Sequence, residues 1–109
     1  MADEPIKGEV IVAALEQACN ALKAHSEYLT SLDQALGDGD TGITLTKVAD
    51  GVLTYLQTTP VSDLGKFLGG AGMAANKAAP STMGTLLATA LMRAGKEVMG
   101  QTELSHQDL

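Results

Sequence analysis

The chain is poor in aromatic surface: aromatics make up 3% of residues, with no Trp and a single Phe. Its core must be assembled from Leu, Ala, Val, Ile and Met, which suit helices better than strands. There is one cysteine, Cys19, so an intrachain disulfide is excluded and a cytoplasmic setting is expected. Cys19 falls in an apolar helical pattern and reads as a small buried hydrophobe, not as a reactive thiol. No apolar run approaches the ~18 residues of a membrane span. The stretch Met1 to Lys7 has two acids and no hydrophobic segment, so neither a signal peptide nor a membrane partner is expected. Basic residues are scarce too, with 7 Lys and Arg against 13 Asp and Glu and a net charge of −6. That excludes the clustered positive charge a nucleic-acid surface needs. It leaves a nucleotide admissible, because a divalent cation can carry the compensating charge.

What is present is an apolar fraction of 45% in 109 residues, enough for one domain or part of one. A chain of this length buries only about two-thirds of its unfolded surface. Apolar residues at Val10, Ala13, Leu15, Cys19 and Leu22 predict a helix from Glu9 to about His25. Leu29, Leu32 and Leu36 predict helix again over Ser26 to Leu36, either as a continuation or beyond a kink. Leu45, Val48, Val52, Leu53 and Leu56 mark a third helix, from about Gly42 to Gln57, which Thr58-Thr59-Pro60 ends. Ser62 is the expected N-cap of a fourth, Gly- and Ala-rich helix carrying Leu64, Phe67, Leu68 and Met73. After Pro80, residues Leu86, Leu87, Ala90, Leu91 and Ala94 define a fifth, with Gly100 as its C-cap. Ser105 reads as the N-cap of a further helix starting at His106, which the chain is too short to complete. No segment combines β-branched residues with period-two alternation, so the fold is expected to be all-α.

The chemistry concentrates in Leu32-Asp33-Gln34-Ala35-Leu36-Gly37-Asp38-Gly39-Asp40-Thr41-Gly42. Asp33 belongs to the last turn of a helix, and Asp38 and Asp40 to the turn beyond it. Glycines on both sides of Asp38 let the loop fold back and bring three carboxylates together. Such a cluster needs a cation or raised pKa values. Magnesium takes oxygen ligands, commonly one or two carboxylates together with waters and substrate phosphates. The carbonyls ending one helix favour a cation, and the free N–H groups opening the next favour a phosphate. The bland alternative is a solvated turn in which Asp38 and Asp40 form Asx-turns and cap the next helix. An EF-hand is excluded, because Ala49 stands where the bidentate Glu belongs.

A second candidate is Ala79-Pro80-Ser81-Thr82-Met83-Gly84, before the fifth helix. Ser81 and Thr82 can donate hydroxyl hydrogen bonds to a phosphate at that helix N-terminus, or simply cap it. There is no Gly-Lys-Ser/Thr, so this is not a P-loop. His25 and His106 are isolated and are given no role. Lys47 reads as solvated, and Tyr28 as packed with its hydroxyl toward water.

Ser26-Glu27-Tyr28-Leu29-Thr30-Ser31-Leu32-Asp33, followed by Gly37-Asp38-Gly39-Asp40-Thr41-Gly42, resembles the nucleotide-binding subunit of dihydroxyacetone kinases. Asp63-Leu64-Gly65, Gly72-Met73 and Gly84 through Arg93-Ala94 extend the resemblance over most of the chain. It implies antiparallel amphipathic helices forming part of an α-helical barrel, with residues 1–109 as the N-terminal portion of the nucleotide-binding domain. It implies that Asp33, Asp38 and Asp40 hold Mg2+, and through it the phosphates of ADP or ATP. Thr41, Gly42, Ser81, Thr82 and Gly84 are the implied phosphate neighbours. The implied activity is a kinase's: the phosphoryl group passes to dihydroxyacetone on a partner subunit, the donor being ATP or, in bacterial versions, a phosphohistidine phosphotransferase protein. Self-association is left open. The chain departs from the family at Pro80-Ser81-Thr82-Met83-Gly84, where a Gly-Gly-x-Ser-Gly loop is usual, and at Thr44-Leu45, where Asn-Met is common. It also lacks the later Gly-Asp-Lys/Arg-Thr-Met motif. The loop replacement motivates an alternative, a non-catalytic relative that binds a nucleotide or phosphate as a regulator.

Overall fold

The structure is a computed structural model that describes residues 4–35 and 37–105. Five helices follow one another: α1 (Gly8–Ala24), α2 (Ser26–Gln34), α3 (Thr41–Thr58), α4 (Leu64–Ala78) and α5 (Thr82–Glu97). Two strands of two residues each, β1 (Ile6–Lys7) and β2 (Glu103–Leu104), pair antiparallel with Ile6 opposite Leu104. The fold is all-α as expected, apart from this small clasp. The expected helix at His106 lies outside the described residues.

The kink is at His25. Its backbone (φ −103, ψ 11) leaves the helical region, and its ring Nδ1 lies 2.8 Å from the Ala21 carbonyl oxygen. The His25 backbone N–H donates to the same carbonyl (3.1 Å), so main chain and side chain share one acceptor at the helix end.

Core packing centres on α3, whose Leu45, Val48, Ala49, Val52 and Leu56 are all buried. Val48, Ala49, Val52 and Leu56 meet Cys19 of α1, Phe67 and Ala75 of α4 and Ala88 of α5. Cys19 is 6% exposed; burial first, then the nearby Asp50 carboxylate, pushes its thiol up, with Lys23 opposing. It is a packing residue, as expected from its setting. A second cluster joins Leu64 and Leu68 to Val98 and Leu104, with Ile6 and Ile11 against it. Not every residue of the predicted apolar stripes is inside. Val10, Leu32, Met73 and Leu86 are between 54% and 67% exposed. Their helices pack on one side only, so the edge of each stripe stays at the surface. Tyr28, at 62% exposed, faces water as expected.

Helices α4 and α5 approach at backbone distance. A Cβ built on Gly95 would lie 2.6 Å from the Gly65 carbonyl oxygen and 3.0 Å from the Gly69 nitrogen. The turn of Ala79, Pro80 and Ser81 joining the two helices is short, which sets them antiparallel.

The N-cap of α4 is Asp63 and not Ser62. Its Oδ1 accepts from the Lys66 N–H (3.2 Å) and from the Gly100 N–H (3.0 Å). Asp63 thus serves a cap and a tertiary tie together, a combination that Ser62 does not reach. Gly100 follows α5 with φ +84, but the C-cap itself is Val98. The bond from Gly100, then that from Lys66, holds the Asp63 carboxyl below the usual carboxylate range. A carboxyl depressed in the folded state stabilises above its unfolded pKa of about 3.9, and that contribution is lost as pH falls through the folded value. Asp63→Ala is therefore expected to melt lower than the parent at neutral pH, with the gap narrowing in acid. Thermal melts across that range check it; a gap independent of pH would refute the ionic part of the tie.

Candidate functional site

One end of the helical array collects the C-terminus of α2 and the N-termini of α3 and α5. Asp33 sits in the last turn of α2, and Asp40 is the residue before α3. Gly39 turns the loop between them with φ +80, a conformation that side-chain-bearing residues rarely take. Gly42 lets α3 close onto α2, because a Cβ there would collide with Thr30 Oγ1 and the Ser26 carbonyl.

These constraints bring one oxygen from each of Asp33, Asp38 and Asp40 within 4.8 Å of one another. Asp33 Oδ2 accepts from the Thr41 N–H (3.3 Å), and Asp38 Oδ1 accepts from the Asp40 N–H (3.4 Å). The three carboxylates differ in character. The Thr41 side chain first, with backbone N–H groups of Thr41, Gly39 and Asp40 behind it, holds the Asp33 carboxyl below the usual range against partial desolvation. Asp40 is pushed the other way, mainly by its hydrogen bond with the Asp38 side chain, then by repulsion from Asp38 and Asp33 and some desolvation. Crowded carboxylates repel one another, and a divalent cation relieves that repulsion. The donor set is all oxygen, and Asp38 and Asp40 are exposed, so a cation here keeps room for waters and a phosphate. Both features fit magnesium or calcium, not a thiophilic metal.

Asp38, Asp40 and Thr41 open onto a cleft of about 350 Å³ whose other wall is Ser81, Thr82 and Met83. The two candidate stretches of the sequence thus meet across one space, with two helix N-termini turned toward it. Thr44 and Leu86 complete the lining. The sequence reading did not assign either to the site; helical spacing was the available signal, since each lies one turn beyond a site residue, Asp40 and Thr82. Neither Gly42 nor Gly84 lines the cleft. Gly84 instead donates its N–H to Ser81 Oγ (3.1 Å), so Ser81 caps α5 as the bland reading held. No Lys or Arg is among the described residues lining the cleft. Lys47 lines a separate groove of about 420 Å³ between α2 and α3, with Glu27, Thr30 and Thr46.

A family model described as DAK2 domain matches residues 35–109. This chain belongs to the DAK2 domain family. The match takes in Asp38 and Asp40 but begins after Asp33. Among curated relatives of this DAK2 chain is the PEP-dependent dihydroxyacetone kinase, ADP-binding subunit DhaL, of Escherichia coli (strain K12). It is 28% identical over 99 residues, covering 91% of this chain and 47% of that protein. A probable dihydroxyacetone kinase of Dictyostelium discoideum is 36% identical over 53 residues, covering 49% of this chain and 8% of that protein. The DAK2 chain therefore spans less than half the length of either. No helix among its described residues is long and apolar enough to cross a membrane.

Proposed function

We propose that residues 1–109 form the N-terminal portion of a nucleotide-binding domain. In this reading it holds magnesium with ADP or ATP for a dihydroxyacetone kinase acting in the cytoplasm. The observation that carries the reading is the clustering of Asp33 with Asp38 and Asp40, the last two opening onto a cleft shared with the N-terminus of α5. The ADP-binding name of the Escherichia coli relative supports the nucleotide. Asp33, Asp38 and Asp40 hold the cation, and Thr41, Ser81 and Thr82 border the phosphates. The cation supplies charge neutralisation to the phosphoryl group in transfer. The acceptor hydroxyl belongs to dihydroxyacetone on a partner subunit, and the donor is ATP or a phosphohistidine protein that recharges ADP.

The absence of Lys and Arg among the described residues lining the cleft gives this reading a sharp test. Three carboxylates repel a bare polyphosphate, so ADP with chelator is expected to leave the melting temperature unchanged. ADP with magnesium is expected to raise it, by about 2.7 kcal/mol of stability at a hundredfold excess over Kd. Equal shifts with and without metal, or none at all, would overturn the site. Transfer is tested separately, by following loss of dihydroxyacetone when the protein is combined with its partner subunit and a phosphoryl donor.

One observation favours a second reading, a nucleotide-binding regulator without transfer. Pro80 lacks an N–H, and the Gly84 N–H is taken by Ser81, which thins the backbone donors at this turn. Retained Mg–ADP binding with no transfer would select it.

A further inference from the structure

Away from the cleft, the outer seam between α4 and α5 carries a surface that the proposed function does not use. We infer that it docks an acidic amphipathic helix of a partner protein. On α4, Lys66, Met73 and Lys77 recur at helical spacing, and on α5 so do Met92, Lys96 and Met99. All six are exposed. The two stripes flank one seam. A Cβ built on Gly72 of α4 would lie 2.8 Å from Met92 Cγ, and one on Gly65 would run into the backbone of Met99. Between these points a Cβ on Gly69 would meet nothing within 4 Å. The seam is therefore a trough with backbone for a floor and methionines for walls.

Charge and side-chain chemistry together select the occupant. The chain has a net charge of −6 and only 7 Lys and Arg, yet three of these lysines border the trough. None of the three makes an ion pair among the described residues. Asp63, the acid nearest Lys66 along α4, already accepts from the Lys66 and Gly100 N–H groups. Glu97 follows Lys96 directly, so it points to another side of α5. The field over the trough is positive on a molecule that is otherwise acidic, and an acidic partner complements it. Methionine is unbranched and polarizable, so it moulds itself to the apolar side chains of a docked helix. Helix α4 has 15 residues, about 22 Å, which gives room for four turns of a partner. Apolar anchors at i, i+3, i+4 and i+7 would fill the trough, and carboxylates on the flanks would reach Lys66 and Lys77 on one side and Lys96 on the other. A lipid surface fits less well, because it favours a convex face with aromatic anchors, and neither stripe holds an aromatic residue.

The test is fluorescence anisotropy with a synthetic helical peptide of about 15 residues, leucine and alanine on one face and glutamate on the other. Binding is expected, and it should fall as salt is added. Met73→Asp, and Lys66→Glu combined with Lys96→Glu, are each expected to weaken it about tenfold. These side chains are exposed, so melting temperatures level with the parent will show that the variants are folded. No binding of the peptide would overturn the proposal. So would equal binding of the same peptide with lysine for glutamate, since the charge is then not read. Binding of phosphatidylglycerol vesicles without binding of the peptide would overturn it in favour of a lipid surface.

Discussion

Asp40→Ala is expected to abolish the magnesium-dependent stabilisation by ADP while leaving the unliganded melting temperature level with the parent or slightly above it. Two structural facts separate these effects. Although Asp40 is the N-cap residue of α3, its side chain makes no capping hydrogen bond; the N–H of Thr41 is held by Asp33 instead. Removing the Asp40 carboxylate therefore leaves no donor orphaned. Its carboxyl is also pushed up by Asp38 and Asp33. A carboxyl raised by folding opposes the folded state above its pKa, so deleting it at neutral pH relieves repulsion. Asp33→Ala provides the contrast. It should lose the nucleotide effect as well, but with a lower melting temperature, because it strips the first turn of α3 of its partner. Melting curves of both variants, with and without Mg–ADP, decide the matter. A nucleotide-induced shift that survives in Asp40→Ala would reject the carboxylate as a ligand.

Gly95→Val is expected to be the most damaging single change to the fold. The contact it disrupts is backbone against backbone: a Cβ on Gly95 meets the Gly65 carbonyl at 2.6 Å, and one on Gly65 meets the Gly95 carbonyl at 2.7 Å. Flexible side chains can step aside, but these atoms belong to helix cores, so α4 and α5 must separate. Their separation opens the packing of Phe67, Ala75 and Ala88 and loosens Leu64, which is fully buried. Overpacking costs about 1–3 kcal/mol at forgiving sites, and the upper end or beyond applies where no rotamer gives relief. A domain of this size has roughly 5–15 kcal/mol in total. The control is Gly69→Ala on the facing helix α4, where an added Cβ meets nothing within 4 Å. That change removes a glycine from a helix interior and should stabilise by about 0.5–1 kcal/mol. Thermal melts showing both variants alike would refute the close approach of α4 and α5.

The comparison of sequence and structure divides along the range of the forces involved. Helix α3 is legible because Leu45, Val48, Val52 and Leu56 of its stripe are buried as the spacing dictates, with Leu53 half-buried beside them. The turn at Gly37 to Asp40 is legible because glycine and aspartate act locally. Where a neighbour far along the chain decides the outcome, spacing alone misleads. Asp63 displaces Ser62 as cap because Gly100 also needs its carboxylate. Leu86 keeps helical periodicity yet stays exposed, because nothing among the described residues packs over the cleft side of α5. The acidic loop and the turn at 80–84 read as two separate places in the sequence, and only the fold makes them walls of one cleft.

The pairing of Ile6 with Leu104 joins positions 98 apart in the chain, and this gives it a place in time as well as in space. Closing a loop of that length in an unordered chain costs about 4 kcal/mol or more in entropy. A ladder two residues long returns about 1 kcal/mol per hydrogen bond. The clasp is therefore unable to nucleate anything. It forms after the helices have packed and delivered their ends to one another, aided by the bond from the Leu64 N–H to the Gln101 carbonyl (2.7 Å). The segment that locks last brings Leu104 against Leu64 and Leu68, beyond the C-terminal end of α5, whereas the carboxylates face that helix's N-terminal end; assembly of the site therefore does not wait on the clasp.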